Sequence, residues 1–112
     1  TDYLSVTVIK GRDLISSKGG AIDPYTKIYL LPDKKKKSKK KTRCRKHTTN
    51  PEFNETVQYF LAEFEEGRQR VLHVSVLNHN SVGNNDVIGS FSVGIREIME
   101  SQAMEQWFPL IK

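Results

Sequence analysis

The sequence predicts an all-β domain, an antiparallel β-sandwich with seven visible strands and one short helix. Three observations support this fold class. Several segments alternate apolar and polar residues with the period of two that half-buried strands show. Turn-forming Gly, Pro, Asn and Asp residues separate these segments. Apolar residues with helical spacing occur in one short segment only. Because 112 residues suit one domain of two packed layers, we expect residues 1–112 to form a single sandwich.

The first two strands show the alternation most clearly. Residues 3–9 and 25–31 each direct three regularly spaced residues to one side of the strand. A loop rich in Gly, Ser and Asp, residues 11–23, joins them. The inward positions are Leu4, Val6, Val8, Thr26, Ile28 and Leu30. The outward positions of the second strand are Tyr25, Lys27 and Tyr29.

Five further strands and one helix complete the predicted sandwich. A Pro-Asp pair at residues 32–33 and an Asn-Pro pair at residues 50–51 are turn signals. Ile95, Ile98 and Met99 have the spacing of a short helix. The remaining strands are expected over residues 39–46, 53–61, 71–77, 87–93 and 107–111.

Positive charge is concentrated in one segment. The chain has 18 basic and 13 acidic residues, a net charge of +5. Ten of the basic residues and no acidic residue lie in residues 34–46, so the remainder carries 8 basic against 13 acidic residues. Like charges packed this closely repel unless an anionic partner offsets them. In an extended strand, the period of two puts Lys39, Lys41, Arg43 and Arg45 on one face, which favours binding to an anionic surface.

The order of several motifs resembles a known family. Asp23-Pro24-Tyr25 is followed by the basic strand, and a further set of motifs comes after it. These motifs are Asn50-Pro51-Glu52-Phe53-Asn54-Glu55, Asp86-Val87-Ile88-Gly89 and Trp107-Phe108-Pro109-Leu110. In order and spacing they resemble the C2 domain family, the lipid-binding modules of protein kinase C, synaptotagmins and their relatives.

The resemblance implies an eight-stranded Greek-key sandwich of C2 type. Seven of the eight strands are visible, so we expect one strand beyond residue 1 or residue 112, and the first strand is the favoured candidate. The chain is accordingly expected to be a C2 domain excised from a larger protein. The resemblance also implies that Asn50 and Pro51 hold a turn and that Trp107 lies in the core.

In calcium-binding members of the family, five carboxylates from two loops hold the ion. The matching positions here are Ser17, Asp23, Asn78, Asn80 and Asp86, so three of the five carboxylates are absent. Calcium prefers several anionic oxygens. We therefore predict no cofactor and only weak calcium binding, with Asp23 and Asp86 supporting their loops.

The family's concave face can carry a lysine-rich cluster that binds phosphatidylinositol bisphosphate. Leu77 and Tyr29 stand where some members have a tryptophan and a lysine, so the headgroup preference stays open. Ile22 and Val82 are the apolar candidates for membrane insertion, with packing into the interior as the alternative for Ile22. Ser38 could accept a phosphate, which would weaken membrane attraction, although most serines in such runs are never modified. The predicted lipid-binding residues are Tyr25, Lys27, Lys36, Lys37, Lys39, Lys41, Arg43, Arg45 and Asn85.

Catalytic and redox chemistry are not indicated by the sequence. A single cysteine, Cys44, excludes an internal disulfide and fits a reducing compartment; it is expected to be buried and inert. His47, His73 and His79 do not share metal-ligand spacing, and His73 is expected on the outer face of its strand. No nucleophile with a base or glycine-rich phosphate loop is evident. We therefore predict a non-catalytic module.

The leading hypothesis is a cytoplasmic, monomeric, peripheral membrane module. It would bind anionic lipids, phosphoinositides and phosphatidylserine, without calcium; no apolar stretch approaches the roughly 20 residues of a membrane span. The alternative is a module that docks an acidic protein partner in signalling or vesicle trafficking. A third possibility is nuclear import or nucleic-acid binding, because residues 34–41 look like an import signal. The absence of interleaved stacking aromatics argues against specific nucleic-acid recognition.

Overall fold

The computed structural model describes residues 3–17, 19–61, 70–79, 85–101 and 103–112. Within them, the strands form two antiparallel sheets, one pairing β1 with β4 and the other in the order β3-β2-β5-β6. The predicted all-β antiparallel class with one short helix is confirmed. The elements are β1 (Tyr3–Lys10), β2 (Pro24–Leu31), β3 (Lys40–Lys41), β4 (Glu52–Phe60), β5 (Val71–Asn78), β6 (Asp86–Gly94) and α1 (Ile95–Ser101).

The two sheets pack through the faces that the alternation predicts. Leu4 of β1 and Tyr59 of β4 share one core with residues of the four-stranded sheet and with Ile95 of the helix. Burying each such side chain stabilises the fold by about 1.5–3 kcal/mol, so the alternation decides which side of each strand faces inward. The buried cluster consists of Leu4, Ile28, Leu30, Tyr59, Leu72, Val74, Val93 and Ile95.

The hydroxyl of Tyr59 links the two sheets. It donates to the carbonyl oxygen of Ser38 at 2.7 Å and lies 3.2 Å from that of Ile28. Burial raises the pKa of this phenol, so it stays a hydrogen-bond donor. A core tyrosine of the small sheet is thereby attached to the backbone of β2 and of the segment before β3.

A second apolar cluster fixes the loop between β1 and β2. Leu14 and Ile22 of this loop pack with Val76 and Ile88, and Leu110 covers them. The exposed fraction of Ile22 is only 2%. Its candidacy for membrane insertion is therefore wrong, because the side chain is part of the interior; Val82 lies outside the described residues.

The carboxyl-terminal segment departs from the predicted strand over residues 107–111. It makes one isolated bridge, in which Ser90 and Ile111 exchange two backbone hydrogen bonds of 2.9 Å. Phe108 stacks on Phe91 with ring centroids 4.3 Å apart. Adjacent residues of an extended chain point to opposite sides, so Trp107 faces outward.

The expected core position of Trp107 is wrong, because 54% of its surface is exposed. Its indole ring instead lies beside two cations. The guanidinium carbon of Arg12 is 4.8 Å from the ring centroid and Nζ of Lys10 is 5.9 Å away. Phe108, one residue later, packs against the core in its place.

No helix in the described part of the chain is long and apolar enough to cross a bilayer.

Gly89 is expected to be essential for the approach of the carboxyl-terminal segment to β6. A Cβ atom at this position would lie 2.7 Å from Cβ of Leu110, which cannot move without its backbone. We expect Gly89→Ala to lower the free energy of unfolding by about 1–3 kcal/mol, measured by urea denaturation. Gly94→Ala is the matched control in the same strand, because its nearest contact would be an ordinary 3.8 Å. Equal destabilisation by both variants would contradict the assignment.

Candidate functional site

The basic segment, residues 34–46, contributes a strand of only two residues, β3. Two buried side-chain hydroxyls explain why the strand is so short. The amide of Leu30 donates to Oγ of Ser38 at 3.1 Å, and the amide of Thr26 donates to Oγ1 of Thr42 at 2.9 Å. These side chains take bonds that backbone carbonyls accept in a regular ladder. The predicted strand over residues 39–46 is therefore too long, although the chain stays beside β2 through two further backbone bonds, Thr42 N to Thr26 O and Arg45 N to Pro24 O, both 2.9 Å.

Exposure nevertheless alternates along this segment. Lys39, Lys41 and Arg43 are exposed, whereas Ser38 and Thr42 are buried. Lys40 turns inward, with Nζ 5.4 Å from the ring centroid of Tyr59. The predicted period of two thus holds for three of the four cations assigned to one face.

Lys27 of β2 stands directly opposite Lys41 in the antiparallel register. The basic face is defined here as the solvent-facing side of the four-stranded sheet, which carries Lys27, Lys39, Lys41 and Arg43. Like charges directly opposite each other on paired strands are destabilising. Among the described residues, the register places no carboxylate on this face. Within the described strands, the opposed lysines therefore have no acidic neighbour on their own side of the sheet.

Tyr25 and Asn85 are brought together at one end of the basic face. Nδ2 of Asn85 donates to the hydroxyl of Tyr25 at 2.7 Å. Tyr25 is opposite Leu77 of β5 and is only 6% exposed, so it is more buried than its outward position suggested. Its hydroxyl is already bonded to Asn85.

Asp33 builds the turn that carries Lys34, Lys35, Lys36 and Lys37. Its carboxylate accepts hydrogen bonds from the amides of Lys37 (3.0 Å) and Ser38 (2.8 Å) and from the hydroxyl of Ser38 (2.5 Å). These bonds, with the Ser38 hydroxyl first, hold the pKa of Asp33 below its usual value. The lysine turn is exposed and leads directly into the basic face.

The position of Ser38 favours the view that it is not modified over its candidacy for phosphorylation. Its exposed fraction is 0%. Its hydroxyl donates to Asp33 and accepts from the amide of Leu30. A serine that completes the backbone bonding of β2 cannot reach a kinase without local unfolding.

Arg45 departs from the pattern of its neighbours. Its Nε donates to the carbonyl of Glu52 at 2.9 Å, and Nη2 donates to the carbonyl of Phe53 at 2.8 Å. Nη2 also pairs with Oε2 of Glu55 at 3.2 Å. The guanidinium is thus committed to β4 and joins the edges of the two sheets.

The loop end that corresponds to the family's calcium site is held by hydrogen bonds. Oδ1 of Asp23 accepts from the amide of His47 at 2.7 Å, and the amide of Asp23 donates to Oδ1 of Asn78 at 2.9 Å. The amide of His79 donates to the carbonyl of Asp23 at 2.8 Å. Ser17 is exposed, and Asn80 lies outside the described residues. No group of three or more His, Cys, Asp or Glu side chains that could hold a metal occurs in the described residues.

Cys44 lies next to this loop end. Burial raises the pKa of its thiol, and Sγ donates to the carbonyl of Asp23 at 3.2 Å. The thiolate is the reactive form of cysteine. A half-buried thiol that is held neutral agrees with the predicted inert role.

Sequence reasoning missed two features of the site. Ile15, in the loop between β1 and β2, is 78% exposed and replaces Ile22 as the apolar residue open to solvent. His73 lies on the basic face, as its outward position predicted, but its ring is held between Ser92 (Nδ1 to Oγ, 2.8 Å) and Ser75 (Nε2 to Oγ, 3.2 Å). The available signal was the run of outward polar residues on β5 and β6, a pattern that any solvated sheet face also shows.

Known proteins share this fold and sequence pattern. The family model described as C2 domain matches residues 2–110. The phosphatidylinositol 4-phosphate 3-kinase C2 domain-containing subunit alpha of Pongo abelii is 36% identical over 107 residues, which cover 96% of this chain and 6% of that protein. Synaptotagmin 1 of Drosophila melanogaster is 35% identical over 112 residues, 99% of this chain and 23% of that protein. The solution structure of the third C2 domain of KIAA1228 protein matches with a TM-score of 0.80 and 30% identity, over 98% of this chain and 78% of that one. The chain thus spans a small part of the curated relatives that it matches.

Asp33 is expected to give the domain an acid-sensitive contribution to stability. Its folded-state pKa is lowered, so the contribution is present above about pH 4 and is lost as the pH falls through the lowered value. We expect Asp33→Ala to cost about 1 kcal/mol at neutral pH, similar to the loss of a capping side chain. The difference from the parent should shrink in strong acid, measured by urea denaturation at both pH values. Glu105→Ala is the control, because Glu105 is exposed; a difference for Asp33→Ala that does not change with pH would refute the role of its charge.

Proposed function

This chain belongs to the C2 domain family, and from that premise we propose that it attaches a larger protein to membranes. The proposed ligands are anionic phospholipids, above all phosphoinositides and also phosphatidylserine. The proposed binding surface is the basic face, and calcium is not required. The domain acts as a binding module without catalysis of its own.

The observation that carries the proposal is the opposed pair of Lys27 and Lys41, flanked by exposed Lys39 and Arg43. Folding brings these cations to one side of a sheet although they repel one another. An anionic ligand relieves that repulsion. A phosphate layer fits better than a single small ion, because the cations are spread along two strands at repeats of about 6.6–6.8 Å.

The charge is sufficient to hold a domain at a membrane. Each basic residue near an anionic leaflet contributes roughly 1 kcal/mol. The four cations of the basic face and the neighbouring turn lysines Lys36 and Lys37 together reach the micromolar-to-millimolar range of affinity on this scale. Salt screens charges at the surface, so binding should weaken as ionic strength rises.

Headgroup recognition would combine two kinds of contact. Lysine offers a compact charge and arginine a planar fork that matches two phosphate oxygens. The linked Tyr25 and Asn85 add a neutral polar contact at the end of the face. Arg45 is left out of the proposed contacts, because its guanidinium already binds β4.

Calcium independence is supported by the bonding of the loop end. The amide of Asp23 donates to Asn78, and the carboxylate of Asp23 accepts from the amide of His47. Hydrogen bonds therefore connect segments that a calcium ion connects in some family members. Two carboxylates among the five matching positions leave too little negative charge for tight binding of the ion. The membrane attraction is then carried by the basic face alone.

Reversing two charges on the basic face should abolish most of the lipid binding. We expect Lys39→Glu/Lys41→Glu to weaken binding to phosphatidylcholine vesicles containing phosphatidylinositol bisphosphate at least about 30-fold, because two contributions of ~1 kcal/mol are lost and repulsion is added. Vesicle flotation across a lipid titration measures the change.

Arg96→Glu/Lys112→Glu is the matched control for this experiment. It alters net charge by the same amount at exposed positions away from the basic face. Equal loss in both variants would show that only net charge matters. If the parent domain binds no anionic vesicle at all, the acidic protein partner becomes the better function.

Calcium should leave vesicle binding unchanged. We expect equal flotation with calcium and with a chelator, and calorimetry should show no calcium affinity of about 10⁻⁵ M or better. Restoring carboxylates with Ser17→Asp/Asn78→Asp/Asn80→Asp should create measurable calcium binding, which shows that charge is the missing element. A parent domain whose vesicle binding needs calcium would overturn this part of the proposal.

A further inference from the structure

The middle of the basic face holds His73, Ser75 and Ser92, which we call the histidine–serine cluster. Both ring nitrogens of His73 are within hydrogen-bond distance of a serine hydroxyl, at 2.8 Å for Ser92 and 3.2 Å for Ser75. Ser75 stands directly opposite Lys27 in the register, and Lys27 stands opposite Lys41. Paired strands lie about 4.8 Å apart. The cluster is therefore the next group across the sheet from the two opposed lysines.

The hydrogen bonding of the cluster depends on the charge of the imidazole. A neutral ring has one donor and one acceptor nitrogen, so one serine must donate its proton to the ring. A protonated ring donates from both nitrogens, and both serine hydroxyls then accept from it. Their own protons become free to point into solvent. Protonation thus adds one positive charge to the face and releases one further hydroxyl donor toward an anion.

The groups that the structure describes around His73 include no counter-ion for a protonated ring. Tyr29 is directly opposite on β2 and Lys27 is diagonal to it, whereas β6 contributes no titratable group. Among the described residues, no carboxylate faces the ring from β2, β5 or β6. The residues that face His73 on these strands are Lys27, Tyr29, Leu31, Val71, Ser75, Ser90, Ser92 and Gly94.

We propose that the histidine–serine cluster is a second phosphate-binding element of the basic face, beside Lys27 and Lys41, and that it makes phosphoinositide binding stronger as the pH falls. The lysines hold one phosphate and the cluster holds a neighbouring one on the same headgroup. Binding of the headgroup and protonation of His73 then favour each other, because linkage between two binding events is reciprocal. This inference rests on the proposed function of the basic face.

The test compares the parent domain with His73→Gln on phosphatidylcholine vesicles that contain phosphatidylinositol bisphosphate. Histidine ordinarily changes charge between pH 5 and 8, so affinities are measured at about pH 7.5 and about pH 6. Phosphomonoester groups lose part of their negative charge near pH 6. Because His73→Gln has no imidazole at this position, its change in affinity with pH measures that effect of the lipid. We expect the ratio of parent to variant affinity to rise about fivefold at the lower pH, the effect of one added cation near an anionic leaflet (~1 kcal/mol).

Three controls make the outcomes distinct. His47→Asn removes another exposed histidine at a left-handed position that asparagine tolerates, and it should behave as the parent does. Ser92→Ala should reduce the gain at low pH by removing one hydroxyl donor. Vesicles with phosphatidylserine in place of the bisphosphate should show a smaller gain, because each headgroup carries one phosphate only.

A parent-to-variant ratio that does not change with pH would overturn the inference and leave the proposed function intact. So would an equal gain on both kinds of vesicle. Failure of the parent domain to bind bisphosphate vesicles at either pH would instead overturn the proposed function, and the inference with it.

Discussion

The proposed binding surface depends on how backbone hydrogen bonds are satisfied where the basic segment meets β2. A buried amide needs a partner, and Leu30 and Thr26 find theirs in the hydroxyls of Ser38 and Thr42 rather than in a regular ladder. These two short side chains must point inward to do so. Because neighbouring positions then point outward, Lys39, Lys41 and Arg43 are exposed on one side. The direction of the cations is thus a consequence of two neutral residues between them.

Two carboxylates, those of Asp33 and Glu55, stabilise the backbone beneath this surface and do not neutralise its cations. Asp33 binds backbone amides and a hydroxyl in the lysine turn. Glu55 accepts from the amide of Arg43 and pairs with the side chain of Arg45. Neither carboxylate lies on the solvent-facing side of the four-stranded sheet. The two opposed side chains of Lys27 and Lys41 repel each other in the free domain. Binding of an external anion would offset this electrostatic repulsion.

Alternation and turn residues were sufficient to predict the fold class and most strands. The inward sets of β1 and β2, including Leu4, Ile28 and Leu30, follow directly from the period of two. The predicted strand over residues 39–46 was too long because side-chain hydroxyls replace backbone carbonyls as hydrogen-bond acceptors. The alternation of residues does not reveal that replacement. The predicted core position of Trp107 was wrong because either of two adjacent aromatic residues, Trp107 or Phe108, could have filled the core. Only packing against Phe91 decides between them.

The candidate site was predictable in part for similar reasons. Charge density identified the basic segment, and family resemblance named Tyr25 and Asn85 as separate lipid-binding candidates. The hydrogen bond that joins their side chains is visible only in the structure. The register that sets Lys27 against Lys41 and His73 against Ser92 involves residues far apart in the chain. Local sequence patterns do not predict pairing between residues so far apart. For the same reason they do not predict that Arg45 contacts β4.

Under the proposed function, in which the domain attaches a larger protein to membranes, the contacts of Arg45 have a mechanical consequence. A pull between that protein and the membrane would act on the edge where the cations lie. This edge is attached to β2 by a ladder of two residues, two side-chain hydroxyls and two further backbone bonds. The contacts of Arg45 with Glu52, Phe53 and Glu55 transfer part of that load to the opposite sheet. Detachment from the surface, which proceeds one charge at a time, can then occur before the edge of the sandwich tears.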